Sequence, residues 1–225
     1  IQFLPFNSLY QLMASLRDGS PPLSEAACFL TIPDLLNYWL TGARVSEFTI
    51  ASTTQCLETG TRRWAVELLG ALGLPSAIFP PLVEPGTALG TLRPAVMEGT
   101  GLPALAVVAP ACHDTASAVA GTPLDQPGAA YVSCGTWSLV GVEVDRPLTS
   151  AAALRANVTN EGGVGGRYRL LRNVMGLWLL EECRRAWRRS GRLPADSSYD
   201  DLLAAAARAE PFACVFAPDD ARFLP

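Results

Sequence analysis

Apolar residues recur at helical spacing near the start of the chain. Leu9, Leu12, Met13 and Leu16 share one face of "SLYQLMASLRDG", and Gly19 with the Pro21-Pro22 pair ends the run. "LTIPDLLNYWLTG" predicts a second helix, with Thr31 placed to cap, Pro33 in the first turn, Asp34 favouring the N-terminal dipole and Gly42 as the stop. "ASTTQCLE" reads as a polar helix start or a loop. "RRWAVELLGALGLP" predicts an amphipathic helix ended by Gly73 and Pro75, and "FPPLVEPGTALGTL" a loop with Gly86 and Gly90 as turn residues.

From Ala104 the pattern changes. "LAVVA" is continuously apolar and predicts a buried strand, and "TASAVAG" a short helix of small residues. "DQPG" breaks the chain, placing a domain boundary near residues 121–128. "AAYVSCGTWSLVGVEV" predicts two strands joined by a tight turn at Cys134-Gly135-Thr136, and "NEGGVGGRYRLLRN" a glycine-rich turn before a strand. A helix is expected from about Val174 to Arg189 with Leu177, Leu180, Cys183 and Trp187 facing inward, and an alanine-rich helix at "YDDLLAAAARA". There are no internal repeats. Helices around mixed strands in two blocks predict an α/β or α+β chain with two domains meeting near residue 125. In such sheets ligands bind beyond the C-terminal ends of strands, where His113 and Asp114 fall.

Composition narrows the function. The 225 residues are 49% hydrophobic and 17% charged, enough to fill a core. A net charge of −4 argues against a phosphate-backbone binder, and the one basic run, "RRAWRR", suits a solvated helix end. Six scattered cysteines without a C-x-x-C spacing predict reduced thiols in a cytoplasmic protein. No apolar stretch reaches the roughly 18 residues that a membrane span needs. All 17 Lys+Arg residues are Arg, which excludes a P-loop or Schiff-base lysine within this chain. Opening on Ile1 and stopping at "FAPDDARFLP", the chain is expected to be the interior of a longer protein.

The candidate chemistry lies in "ACHDTASAV", residues 111–119, which holds the single histidine. Asp114 at a strand exit would take a proton from a substrate hydroxyl if ionised and within reach, or cap a helix beginning near Thr115. His113 would hold a hydroxyl of the substrate or be a satisfied turn residue; with no ligand-spaced His or Cys nearby, no metal site is predicted. Cys112-His113-Asp114 does not make a thiol hydrolase, because adjacent side chains diverge and working triads assemble from distant segments. The "SCGTWS" turn is either a phosphate cradle or a plain hairpin with Gly135 at positive φ. "NEGGVGG" lacks the strand-to-helix context of a dinucleotide site and predicts a flexible hairpin tip. Trp178 and Trp187 read as core.

Taken together, "PDLLNYWLTG", "ACHDTASAV", "YVSCGTWSL", "TNEGG" and "GRYRLLRNVMGLWLL" resemble the FGGY family of carbohydrate kinases, from about Phe3 to about Arg222 and most densely over residues 110–180. "HDTASAV" and "GTWSL" are similar across several branches, whereas "NEGG", "GRYR" and "MGLWLL" point to the branch acting on L-rhamnulose. The resemblance implies an actin/Hsp70-like, ribonuclease-H-type α/β fold. Two domains would clasp ATP, Mg²⁺ and sugar, with residues 1–124 part of the sugar-binding domain and 125–225 part of the nucleotide-binding one. It implies phosphoryl transfer from ATP to the 1-hydroxyl of L-rhamnulose, with Asp114 as general base and His113, Thr115 and Asn173 lining the sugar site. Gly135 and Thr136 would face ATP.

Two positions depart from the family pattern: Glu181 stands where a nucleotide-contacting Gln is usual, putting an anion on the ATP side, and Cys134 where Ser is usual. The family's N-terminal acidic-Gly phosphate turn and its late glycine-rich adenine-binding segment are absent from these residues, so the 225-residue piece is expected not to turn over by itself. The alternatives are a kinase for xylulose, fuculose or glycerol, or a non-catalytic actin-like sugar-binding remnant.

Overall fold

The computed structural model describes residues 2, 5–19, 23–124, 126, 128–218 and 220–223. The expected Pro21-Pro22 stop, and Asp125 and Pro127 of the "DQPG" break, lie outside the described residues. Two compact units form: residues 1–131 with 141–172, and residues 132–140 with 173–225.

In the first unit, α1 (Ser8–Asp18) ends at Gly19, whose φ of 65° is the left-handed stop the sequence predicts. Its buried Leu9 and Leu12 join Cys56, Leu69, Leu74, Ile78 and Phe79 in one apolar cluster. Helix α2 (Ile32–Thr41) stops at Gly42 with φ 82°. Asp34 does more than complement the helix dipole: it is buried and accepts from Thr31 Oγ1 (2.7 Å), Ser46 Oγ (2.8 Å) and the Glu47 N–H (2.9 Å). These bonds fasten α2 to β1 (Ser46–Glu47), which leads directly into α3 (Phe48–Ala51).

The helix expected over "RRWAVELLGALG" is shorter than its periodicity suggests. β2 (Leu57–Glu58) pairs antiparallel with β3 (Arg63–Trp64), and only Val66–Ala71 coil as α4. Tertiary contacts override local propensity: the Trp64 indole donates to Pro80 O at 2.7 Å and its ring lies 4.8 Å from that of Phe79. β4 (Leu82–Val83) pairs in parallel with β1. Gly90, expected in a turn, lies instead inside β5 (Ala88–Thr91), where the register slips between Ala88 and Gly90. A short helix that the pattern did not announce, α5 (Pro94–Thr100), follows with Pro94 in its first turn.

"LAVVA" forms β6 (Ala106–Val108), paired antiparallel with β5 in a two-stranded sheet. The expectation of burial is corrected here, since Val108 is 50% exposed: a two-stranded ribbon covers few of its own side chains. Then come α6 (Asp114–Ala120), β7 (Ala130–Cys134), β8 (Trp137–Val144), α7 (Ala151–Arg155), β9 (Thr159–Gly162) and β10 (Tyr168–Met175). The four strands form one sheet in the order β7-β8-β10-β9. β9 and β10 are antiparallel, with Glu161 directly opposite Arg169.

In the second unit, α8 (Trp178–Arg189) starts four residues later than expected, because Val174 and Met175 remain in β10. Its inward face also differs from the expected one. Arg184 is buried while Cys183 and Leu177 are exposed, because the Arg184 guanidinium lies over the Tyr199 ring at 4.0 Å. Helix α9 (Tyr199–Arg208) opens on a reciprocal Ser198–Asp201 capping box.

Candidate active site

The segment that delivers His113 and Asp114 is held from beneath by buried polar groups. Glu47 caps α3: its carboxylate accepts from Thr49 N (2.9 Å), Thr49 Oγ1 (2.5 Å) and Ile50 N (3.3 Å), and also from Cys112 N at 2.9 Å. The Thr49 hydroxyl, in turn, accepts from His113 N at 3.1 Å, and Ser117 Oγ donates to Ala111 O at 2.7 Å. Burial pushes the Glu47 carboxyl above its ordinary pKa against the pull of its donors. Cys112, beside it, has its thiol pushed up to about 12, chiefly by burial, so it is no nucleophile at neutral pH.

Helix α6 begins at Asp114 and its N-cap is His113, whose side chain makes no capping bond. The expectation that Asp114 caps a helix beginning near Thr115 is therefore corrected by one residue: Asp114 is the first helical residue. Its Oδ1 accepts from Thr115 N (2.6 Å) and Thr115 Oγ1 (3.3 Å), which fixes the carboxylate's orientation. The side chain is 96% exposed, and Oδ2 has no partner among the described residues. Thr115 itself is buried and turns its hydroxyl to Asp114. The result is a rigidly based, solvent-facing proton acceptor.

His113 sits between this carboxylate and a buried ion pair. Arg169 Nη2 lies 3.0 Å from His113 Nδ1 and 3.0 Å from Glu161 Oε2, while Arg169 Nε donates to Gly162 O at 2.9 Å. The opposite ring nitrogen, Nε2, faces Asp114 Oδ1 at 3.8 Å. Burial first, then the Arg169 charge, lowers the His113 pKa to about 4, so the ring is neutral at physiological pH. Gly162, whose carbonyl takes the Arg169 bond, lies close against α3: a Cβ there would stand 2.7 Å from the Phe48 ring. Sequence reasoning gave no role to Glu47, Thr49, Glu161 or Arg169. Glu161 and Arg169 lie in the quoted "NEGG" and "GRYR" segments, whose strands were expected to frame only a glycine-rich tip. "VSEFTI" offered no signal at all for Glu47 and Thr49.

In the second unit, the Gly135-Thr136 turn rests on the start of α8. Thr136 O accepts from Gly176 N (3.1 Å) and Trp178 N (3.3 Å), and Gly135 O from Leu177 N (2.8 Å). This seat requires glycine at 176, where a Cβ would stand 2.6 Å from both Gly135 O and the Trp137 carbonyl carbon. Gly135 is not at positive φ, so the simple hairpin expectation fails on that point. Its N–H, expected to be available to a phosphate, donates to Trp137 O at 2.8 Å, whereas Thr136 is exposed. Asn173 lies in β10 and is partly buried. Glu181, one turn into α8, accepts from Arg184 Nη1 at 2.8 Å and from the Tyr199 hydroxyl, so its charge is compensated.

Two family descriptions match successive stretches of the chain: the N-terminal domain of the FGGY family of carbohydrate kinases over residues 1–121, and the C-terminal domain of that family over residues 130–225. The chain belongs to the FGGY family of carbohydrate kinases. Among FGGY relatives, it is 47% identical over 220 residues to a rhamnulokinase of Bacteroides thetaiotaomicron, covering 98% of this chain and 44% of that protein. A rhamnulokinase of Oceanobacillus iheyensis is 43% identical over 225 residues, covering 100% of this chain and 46% of that protein. The chain thus spans under half the length of these curated relatives. Among solved structures, a xylulose kinase from Lactobacillus acidophilus superposes with a TM-score of 0.76 at 21% identity, over 93% of this chain and 41% of that one. The fold is that of the FGGY sugar kinases, the actin/Hsp70-like class expected from the sequence.

Among the described residues no group of three or more His, Cys, Asp and Glu side chains could hold a metal ion. Mg²⁺ bound mainly through substrate phosphates and water needs no such cage. No helix of the described residues is long and apolar enough to cross a membrane.

Proposed function

We propose that the protein of which this chain is part phosphorylates L-rhamnulose at its 1-hydroxyl with ATP, giving L-rhamnulose 1-phosphate and ADP. The observation that carries the proposal is the Asp114 carboxylate: exposed, first in its helix, and held on a segment bonded to buried Glu47 and Thr49. The rhamnulokinases at 42–47% identity support the choice of sugar. Asp114 accepts the proton of the 1-hydroxyl as that oxygen bonds to the γ-phosphorus and the bond to the ADP oxygen breaks. Thr115 holds Oδ1 in place, leaving Oδ2 for the substrate, and neutral His113 offers a hydrogen bond to the sugar.

Residues 1–124 then belong to the sugar-binding domain and 125–225 to the nucleotide-binding domain. Asn173 contributes to the sugar site, and the Gly135-Thr136 turn and Glu181 serve ATP, with the Thr136 hydroxyl rather than the Gly135 amide as donor. Mg²⁺ accompanies the ATP phosphates, and the reaction takes place in the cytoplasm. The test is a coupled ADP-release assay on the complete polypeptide with a panel of ketoses and glycerol. L-Rhamnulose should give the highest kcat/KM; equal or better turnover of xylulose or glycerol overturns the assignment.

A further inference from the structure

Arg169 has no exposed surface, and its guanidinium is bonded on two sides before it reaches the histidine: Nε to Gly162 O and Nη2 to Glu161 Oε2. Its cross-strand partner in the β9–β10 register is Glu161, so two sheet neighbours fix the fork in place. That same Nη2 lies 3.0 Å from His113 Nδ1. A guanidinium nitrogen only donates, so Nδ1 must accept and carries no proton. The ring's one remaining proton is then on Nε2, the nitrogen that faces Asp114 Oδ1 at 3.8 Å.

We propose that Arg169, anchored by Glu161, is a positioning residue that locks His113 in its Nε2–H tautomer and so aims a hydrogen-bond donor at Asp114 and the substrate hydroxyl. The inference rests on Asp114 being the base of the proposed kinase reaction. In the other tautomer Nε2 would present a lone pair to the carboxylate, and Nδ1–H would point at a cation. The Arg169–Glu161 pair prevents both. A buried ion pair is a poor source of net stability, because desolvation offsets most of its attraction, so a specifying role suits it better than a stabilising one.

The test is imidazole nitrogen NMR on the complete polypeptide labelled at histidine. His113 is the single histidine of this sequence, and subtraction of a His113→Gln spectrum assigns its ring. The wild type should show Nε2 protonated and Nδ1 bare; the reverse overturns the proposal. In an Arg169→Gln/Glu161→Gln double variant, which leaves no buried charge unpaired, both tautomers should appear and kcat fall about 10- to 100-fold, by analogy with the loss on removing partners that orient metal-ligating histidines. If that variant does not fold, Arg169→Met/Glu161→Gln takes its place; it removes the donor to Nδ1 and leaves no buried charge unpaired, with the same mixed tautomers and loss of kcat expected. A variant with a lower melting temperature but an unchanged tautomer and kcat shows a merely structural ion pair and overturns the assignment. The ring state is read without turnover. A wild type that phosphorylates no ketose therefore sinks the kinase reading while leaving the tautomer result standing.

Discussion

The buried Glu47 carboxylate accepts the backbone N–H of Cys112 at 2.9 Å, across 65 residues of sequence. It ties the N-terminus of α3 to the segment that presents His113 and Asp114, and it satisfies four donors at once. Glu47→Gln keeps the size but turns an amide N–H₂ toward some of those donors. A buried donor left unsatisfied costs about 1–3 kcal/mol, more where the lost partner was charged. The variant should lose at least about 2 kcal/mol in denaturant unfolding, and a midpoint equal to wild type would show that Glu47 holds nothing.

Asp114→Asn separates chemistry from helix stability. Asp114 is the first residue of α6 and exposed, so the change should alter stability by under about 1 kcal/mol. Removing a general base should lower kcat by about 10²–10⁴-fold. The measurement is turnover and thermal melt on the same preparation. Near-normal turnover at a normal melting temperature would remove Asp114 from the mechanism.

His113 makes stability pH-dependent. Its pKa is lowered to about 4 in the fold from an ordinary 6.5, so below pH 6.5 the unfolded chain binds a proton that the native state refuses. Stability from this group is intact above pH 6.5 and drains as pH falls toward 4, by up to about 3 kcal/mol at 1.36 kcal/mol per unit. The raised carboxyls of Glu47 and Glu161 act in the opposite direction, so the quantity to follow is the difference from His113→Gln. Wild type should lose ground to that variant between pH 7 and 5. Parallel curves would contradict the burial argument.

Gly176→Ala tests the seat of the Gly135-Thr136 turn, which is proposed to face ATP. The new methyl would meet backbone at 2.6 Å, which cannot move aside as a side-chain tip can. Overpacking of this kind costs about 1–3 kcal/mol. The expected result is a lower melting temperature with a raised KM for ATP and an unaltered KM for sugar; an unchanged melt would mean the turn tolerates displacement.

Arg184 neutralises Glu181. If Glu181 faces ATP as proposed, Arg184→Met should expose that negative charge to the phosphates and raise the ATP KM by about 5- to 10-fold, the effect of roughly 1 kcal/mol of repulsion near a protein surface. Adding Glu181→Gln to the same chain should restore it. A double variant as impaired as the single would assign the loss to the missing Arg184–Tyr199 packing instead.

Local chemistry was enough for much of the framework. Gly19 and Gly42 end α1 and α2 because only a residue without Cβ enters the left-handed region cheaply, and that cost is the same wherever the helix packs. The strand–turn–strand at 130–144 and the start of a helix beside Asp114 were legible from residue pattern alone, although the turn does not use the positive φ expected of Gly135. Trp64 shows the limit. Its helical spacing was real, but the indole bond to Pro80 and the ring contact with Phe79 bend the segment into a strand. The sequence alone determined which residue types the site could use, a lone histidine beside a carboxylate in a chain without lysine. Only the tertiary structure decided what state they are in. Glu47 bonds Cys112, next to the "HD" pair, from 65 residues away and Arg169 reaches His113 from 56, and nothing in local propensity records such contacts. Burial and fixed donor geometry, not residue type, make His113 neutral and choose the nitrogen that carries its proton.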